Sequence, residues 1–225
     1  IADAMMLGRL FEGLFEKGVV VVTTSNYPPD GLYPNGLQPQ RFLPTIAFLK
    51  PNLAVLEADA GVDFRLRTLE QMDTFLVPDD AAAEARMAAD FHSVAGVAGE
   101  GGKVTVLERD IAVVRQAPGV IWFGFDVLCG GPRSQNDYLE LAREHHTLFL
   151  SRVPQLSREQ SSEARRFTWL VDVLYDHRVK FVVSAAVPAE KLYVDGPQAA
   201  EFKRTVSRLV EMRSRDYLAE AHRTA

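Results

Sequence analysis

The chain has 225 residues, of which 47% are hydrophobic and 24% charged, a composition typical of a globular protein with a substantial core. The formal net charge of −5 gives no basis for binding nucleic acid through bulk charge, and the single cysteine, Cys129, excludes an internal disulfide framework and favours a reducing cytosol. No apolar run approaches the roughly 20 residues of a transmembrane helix, so we expect no transmembrane segment.

The first part of the chain, residues 1–60, alternates helix and strand patterns, which predicts an α/β fold with parallel strand pairing. Apolar residues recur at helical spacing over residues 3–17. A β-branched run at 19–26 predicts a central strand buried on both faces. Residues 37–49 are predicted as a helix kinked or broken at Pro44, with Pro51 beyond its end, and residues 53–57 as another strand.

The second part, residues 61–132, is predicted as a β-rich insertion or subdomain. Its short segments 64–67 and 74–77 are predicted as paired strands, 79–91 as a helix and 96–102 as a loop. The patterns at 104–107, 111–115 and 120–125 predict a small antiparallel meander with turns at 109–110 and 117–119.

The third part, residues 133–225, returns to α/β patterns. Helices are predicted at 134–145, with Ser134 as N-cap, and at 158–176 and 198–221. Apolar runs at 147–150 and 179–185 predict strands.

One internal similarity connects the first part with the third. Residues 14–33 align with residues 174–193 without a gap, and both copies read as the end of a helix, a buried strand and a proline turn. We therefore predict that the strands at 19–26 and 179–185 lie parallel in one sheet. Convergence of a common helix-to-strand pattern and shared ancestry both remain open.

Small polar residues end the first β-branched run. Thr24, Ser25 and Asn26 would stand at the carboxyl end of a parallel strand, where ligands bind in open α/β sheets. Asn26 could orient a water molecule or contact a γ-phosphate. The simpler interpretation is that these residues only turn the chain before Pro28 and Pro29.

Three arginines suit phosphate recognition, because the planar guanidinium matches phosphate oxygens. Arg41 could act as an arginine finger on a neighbouring subunit, while Arg165 and Arg166 lie in a long predicted helix. Each arginine could equally be solvated surface. The chain has no Gly-Lys-Ser or Gly-Lys-Thr phosphate loop. We expect no metal site at His145 and His146, since adjacent helical residues point in different directions.

Taken together, the sequence resembles the ZapE/AFG-like family of AAA+ ATPases, the bacterial cell-division ATPases and their mitochondrial relatives. The resemblance covers nearly the whole chain. It is carried by residues 1–11, 22–26, 36–44, 61–67, 163–167, 174–180 and 207–212. The fold it implies is an incomplete P-loop NTPase of AAA+ type, with a parallel sheet, flanking helices and a small antiparallel β insertion.

The resemblance also implies roles for the candidate residues. The chain would start just after the Walker B strand, with the phosphate loop and the Walker B acidic pair upstream. Asn26 would occupy the sensor-1 position, Arg41 would lie in the arginine-finger segment, and Arg166, with Arg165 beside it, would be the sensor-2 arginine. This chain has Pro39 where many family members carry an arginine, so either Arg41 or no residue of this chain serves as the finger.

The resemblance implies ATP hydrolysis by the full-length protein, with ATP and Mg²⁺ held mainly by the upstream part. It further implies a homo-oligomer and division-machinery or client proteins as partners, without nucleic acid. The expected location is the bacterial cytoplasm, including the periphery of the inner membrane. The 225-residue chain alone is expected neither to bind nor to hydrolyse ATP appreciably. The alternative is a non-catalytic protein-interaction module that uses an exposed meander at 104–125.

Overall fold

The computed structural model describes residues 2–25, 29–32, 42–56, 69 and 72–224. Contacts divide the chain into two compact units, Ile1–Gly61 and Val62–Ala225. The predicted three-part division is not tested by this partition. The first predicted boundary, after residue 60, lies one residue from the boundary between the units.

The described residues of the first unit form two helices, α1 (Ala2–Glu16) and α2 (Leu43–Asn52), and a short 3₁₀ turn (Pro29–Gly31). The rings of Phe15 and Phe48 meet edge to face at 5.7 Å, which joins the two helices. Pro44 lies in the first turn of α2 and Pro51 inside its last turn. Over its described part the predicted helix begins only at Leu43, directly before Pro44, where a proline removes no intrahelical hydrogen bond. Its predicted first part, 37–41, lies outside the described residues.

The predicted central strand at 19–26 is the main correction in this unit. Residues 19–25 form no strand, and Val20 and Val22 are 88% and 91% exposed; Asn26 lies outside the described residues. The predicted strand at 53–57 is also wrong over its described part, 53–56. A buried strand requires hydrogen-bonded neighbours on both sides. The described residues of this unit provide none.

The second unit is built on a sheet whose described strands have the order β1-β6-β5-β4-β3-β2. Their bounds are β1 (Phe75–Leu76), β2 (Glu100–Val106), β3 (Arg109–Ala117), β4 (Val120–Gly124), β5 (Thr147–Val153) and β6 (Lys180–Ala185). The pairs β1–β6, β6–β5 and β5–β4 are parallel, and the pairs β4–β3 and β3–β2 are antiparallel. The α/β prediction is confirmed. The antiparallel strands are hydrogen-bonded into the same sheet as the parallel ones.

Helices cover both faces of this sheet. Their bounds are α3 (Ala81–Ala95), α4 (Gln135–Glu144), α5 (Ser161–Asp176), α6 (Ala199–Glu211) and α7 (Arg215–Ala219). Alternate residues of each strand point to opposite faces. One face carries Ile121 and Phe123 with α4, α5 and α6, and the other carries Trp122 and Phe149 with α3. The parallel strands are thus buried on both sides.

Several predicted boundaries in this unit are corrected by the structure. The predicted loop at 96–102 contains the start of β2, and the turn between β2 and β3 lies at Leu107 and Glu108 instead of 109–110. The strand β1 pairs with β6, whereas its predicted partner, 64–67, lies outside the described residues. The predicted helix at 198–221 is broken between α6 and α7, because Ser214 caps a new helix.

The predicted exposed meander at 104–125 is buried in part. All five residues of β4 are buried, and β3 has buried residues at Ile111 and Val113. Only β2 and the neighbouring part of β3 offer an extended exposed surface. The interaction surface expected from the sequence is therefore smaller than the meander itself.

The two similar segments have matching structure before and after the predicted strands at 19–26 and 179–185. After α1 and after α5, one residue adopts positive φ, +69° at Gly18 and +56° at Arg178. In each copy the next backbone N–H donates to the carbonyl five residues earlier, at 3.0 Å and 2.9 Å. The 3₁₀ turns Pro29–Gly31 and Ala189–Lys191 occupy aligned positions. Residues 19–25 of the first copy form no strand, whereas the second copy contains the paired strand β6, so the predicted parallel pairing of the two strands is wrong.

Candidate functional site

The predicted catalytic residues Asn26 and Arg41 lie outside the described residues. Their roles stay predictions. Residues 19–25, which precede Asn26, form no strand, and Thr24 and Ser25 are both exposed. Arg165 and Arg166 are described, and both lie in the first half of α5.

Arg166 faces the short π-helix Asp126–Gly130. Its Nε donates to the carbonyl oxygen of Cys129 at 2.6 Å, and one Nη lies 3.5 Å from the carbonyl oxygen of Gly130. The carboxylate of Glu163, one turn earlier on α5, is 3.8 Å away, and the Arg166 side chain is 17% exposed. Much of the donor capacity of this guanidinium is therefore directed at the protein backbone.

Arg165 points elsewhere and is exposed. Its Nε lies 3.0 Å from the side-chain amide of Gln198 when the amide oxygen is oriented toward it. Gln198 is the N-cap residue of α6. The two adjacent arginines thus have different partners, a neutral side-chain amide for Arg165 and main-chain carbonyls for Arg166.

The π-helix that Arg166 contacts was not predicted from the sequence. Leu128 and Cys129 are completely buried, and Tyr138 of α4 donates its hydroxyl hydrogen to the Leu128 carbonyl at 2.8 Å. Burial raises the pKa of the Cys129 thiol far above its usual value, and the nearby Arg166 charge opposes this rise only in part. The thiol therefore stays protonated, which argues against a nucleophilic cysteine.

Asp137, on α4, is a buried carboxylate that the sequence analysis did not single out. Its Oδ2 accepts hydrogen bonds from the backbone N–H of Ser134 at 2.7 Å and from the Ser134 hydroxyl at 3.0 Å, and Oδ1 pairs with Arg109. Burial by itself would raise the pKa of Asp137, but these hydrogen bonds hold it below its usual value. The Ser-x-x-Asp spacing is a capping-box signature that could have revealed it.

The carboxyl ends of the parallel strands in the second unit carry a small polar network. The Ser184 hydroxyl donates to Asp79 at 2.7 Å and accepts from the backbone N–H of Arg152 at 3.1 Å. Arg152 has a φ of +62° and stands at an irregularity of β5. Its guanidinium packs against Gly124, at the end of β4. The polar groups of Ser184 are satisfied within the protein, so no substrate contact is assigned to them.

His145 and His146 make separate hydrogen bonds. Nδ1 of His145 lies 3.0 Å from the Leu141 carbonyl, and Nδ1 of His146 lies 2.8 Å from the Thr147 hydroxyl. Over the residues that the structure describes, no group of three or more His, Cys, Asp or Glu side chains could hold a metal ion. Within the same part of the chain, no helix has both the length and the apolar character required to cross a membrane.

Comparison with known proteins identifies the family. The sequence model for the AFG1-like ATPases matches residues 1–221. The chain belongs to the AFG1-like ATPase family. This confirms the resemblance inferred from the sequence motifs, and the mostly parallel sheet with helices on both faces is consistent with a P-loop NTPase-like fold.

Two relatives show how much of an AFG1-like ATPase the chain represents. It is 44% identical to "Cell division protein ZapE" of Escherichia coli K12 over 223 residues, which are 99% of this chain and 60% of that protein. It is 34% identical to "Lactation elevated protein 1 homolog B" of Danio rerio over 260 residues, covering all of this chain and 52% of the relative. No solved structure matches the chain. The chain thus spans between half and two thirds of the length of these relatives.

Proposed function

We propose that the chain is the C-terminal portion of an ATPase that binds and hydrolyses ATP in the full-length protein and acts in cell division. The observation that carries the proposal is the family match over residues 1–221, together with 44% identity to a bacterial cell division protein. We further propose that the full-length protein is a homo-oligomer that acts on division-machinery or client proteins in the bacterial cytoplasm, or at the periphery of the inner membrane, without nucleic acid.

The exposed run at residues 19–25 supports this proposal. Four consecutive valines precede Thr23 and Thr24, and β-branched runs of this kind suit a strand buried on both faces. The aligned second copy, β6, is paired on both sides, with β1 and with β5. We propose that residues 19–25 become a paired strand in the full-length protein and thereby place Asn26 at the nucleotide.

ATP and Mg²⁺ would be held mainly by residues outside this chain. The sequence contains no Gly-Lys-Ser or Gly-Lys-Thr loop, and the described residues provide no metal-ligating cluster. We therefore derive no step involving Mg²⁺ from this chain's own side chains. Asn26 and Arg41 are proposed to assist hydrolysis by orienting water or contacting phosphate groups, and the Arg165–Arg166 pair is proposed to supply a phosphate contact.

The first experiment compares the 225-residue chain with the full-length protein. We expect magnesium-dependent ATP binding and turnover only in the full-length protein, measured by calorimetry and by phosphate release. Tight ATP binding by the 225-residue chain would contradict the expectation that its phosphate contacts lie elsewhere. Absence of turnover in the full-length protein would contradict the ATPase proposal itself.

The second experiment substitutes Asn26 in the full-length protein. Asn26→Ala should lower turnover more than ATP affinity, because an interaction made only in the transition state contributes to the rate and little to ground-state binding. Asn136→Ala, at an exposed position of α4, serves as the matched control. Turnover equal to wild type would leave Asn26 as a turn residue.

The third experiment mixes subunits to test Arg41. An Arg41→Ala subunit should be inactive alone and partly rescued by a phosphate-loop-deficient subunit that supplies its own Arg41, since an arginine finger is worth roughly a thousandfold or more in rate. A variant of a residue that acts in cis should gain nothing from the mixture. Full activity of Arg41→Ala alone would exclude the finger role, and lack of rescue would exclude action in trans.

A further inference from the structure

Arg165 and Arg166 are adjacent in sequence, but their guanidinium groups have different surroundings. The proposed function assigns phosphate contact to this pair as a whole. Arg165 is exposed and lies beside a neutral amide, whereas Arg166 is 17% exposed and lies against main-chain carbonyls. The two arginines are therefore not equally available to an anionic ligand.

The carbonyl end of the π-helix explains why Arg166 is held in place. The last carbonyls of any helix lack intrahelical partners and require other donors. The Val127 carbonyl accepts from Nε of Arg133 at 3.2 Å, and the Leu128 carbonyl accepts from the Tyr138 hydroxyl at 2.8 Å. The Cys129 carbonyl accepts from Nε of Arg166 at 2.6 Å. Three consecutive carbonyls thus receive side-chain donors from three different parts of the chain.

A second contact limits the freedom of Arg166 further. Its Nη approaches both the Gly130 carbonyl, at 3.5 Å, and the Glu163 carboxylate, at 3.8 Å. Turning the guanidinium toward a phosphate group would leave the Cys129 carbonyl without this donor. Cys129 and the preceding Leu128 are both completely buried. An unsatisfied polar group in such a place is costly. Arg165 could exchange its amide partner for a phosphate at much lower cost.

We infer that Arg166 is a positioning residue, which together with Arg133 and Tyr138 holds the π-helix Asp126–Gly130 against α4 and α5, and that Arg165 contacts the phosphate groups of ATP in the full-length protein. The inference about Arg165 rests on the proposed function. The inference about Arg166 does not, because it concerns the folded state of the second unit. The two parts can therefore be tested separately.

The stability test uses the 225-residue chain. Both of its tryptophans, Trp122 and Trp169, lie in the second unit, so tryptophan fluorescence reports the unfolding of that unit. Arg166→Gln should lower Tm by about 4–8 °C, and Arg133→Gln should lower Tm as well. Arg165→Gln and the control Arg158→Gln, at another exposed arginine, should stay within about 1 °C of wild type. An unchanged Tm for Arg166→Gln overturns the positioning role.

The nucleotide test uses the full-length protein, well below the Tm of each variant. Arg165→Gln should weaken ATP binding about tenfold or more by calorimetry, with Tm unchanged. Arg166→Gln should keep ATP affinity within about twofold of wild type despite its lower Tm. Weakened ATP binding by Arg166→Gln with an unchanged Tm, or unchanged binding by Arg165→Gln, overturns the inference. If the wild-type full-length protein lacks ATP turnover, the proposed function fails, while the stability test still decides the role of Arg166.

Discussion

Replacing Asp137 by asparagine tests how strongly one buried carboxylate stabilises the second unit. The carboxylate is essentially unexposed, and it joins the start of α4 to Arg109 at the start of β3. Oδ2 serves both Ser134 donors and Oδ1 serves Arg109. Asparagine keeps only one acceptor oxygen, so either Ser134 or Arg109 must lose its partner.

The expected loss for Asp137→Asn is about 3 kcal/mol. Hydrogen bonds to a charged group contribute about 1.5–3 kcal/mol each, and breaking a buried pair costs about 3–5 kcal/mol. Arg109 is 46% exposed and can be rehydrated, which places the loss at the lower end of the second range. At about 2–4 °C per kcal/mol for a chain of this size, Tm should fall by about 6–12 °C.

The assay is urea unfolding followed by tryptophan fluorescence, which reports the second unit. The control is Asp110→Asn, a carboxylate on β3 that is 59% exposed and pairs with Lys103 at 3.8 Å; its loss should stay below about 1 kcal/mol. Because the folded pKa of Asp137 lies below its unfolded value, its stabilisation is complete above about pH 4 and is lost as pH falls through the folded pKa. A loss below about 0.5 kcal/mol at pH 7 would refute this reasoning.

The remaining predictions concern a buried lysine, a glycine and a histidine of the second unit. Lys180→Met should detach the C-terminal segment, because its Nζ donates to the carbonyls of Tyr217 at 3.0 Å and Glu220 at 2.6 Å; amide hydrogen exchange at 215–224 should accelerate, and Lys203→Met on α6 should leave it unchanged. Gly119→Ala should cost about 2 kcal/mol in thermal unfolding, because φ is +73° and a Cβ would lie 2.6 Å from the His146 ring, whereas Gly131→Ala meets no atom within 4 Å. Burial lowers the pKa of His145, so as the pH is lowered the unfolded chain takes up this proton before the folded chain does. The free energy of unfolding should therefore decrease as the pH falls below about 6.5. His145→Gln should reduce that fall between pH 7.5 and 5.5, and an identical fall in both proteins would contradict the assignment.

The sequence predicted those elements whose signals are local. Helix α5 and strand β6 follow from an amphipathic run and an apolar run, and the N-cap at Ser134 was predicted from its residue type. The strand predicted at 19–26 does not form over its described part, 19–25, because a strand also needs partners, which a local pattern does not specify. The break between α6 and α7 was missed because apolar spacing continues across Ser214.

The candidate site was less predictable than the fold. Arg165 and Arg166 are indistinguishable as sequence letters, and only the packing of α5 against residues 126–130 separates their partners. The π-helix has no sequence periodicity that distinguishes it from a turn over five residues. The roles of Asn26 and Arg41 stay predictions, because both residues lie outside the described part of the chain.

The exposed run at residues 19–24 has a consequence for handling the chain. Four valines and two threonines form a segment of high β propensity, without charge and without proline. Such segments pair readily with copies of themselves when their backbone is accessible. Residues 19–24 form no strand in the structure, and Lys17 before the run and Pro28 after it are the nearest charged and proline residues. Self-association of the 225-residue chain should therefore start from this segment and rise steeply with protein concentration, and pairing of the segment within a longer polypeptide would at the same time protect the protein from aggregation.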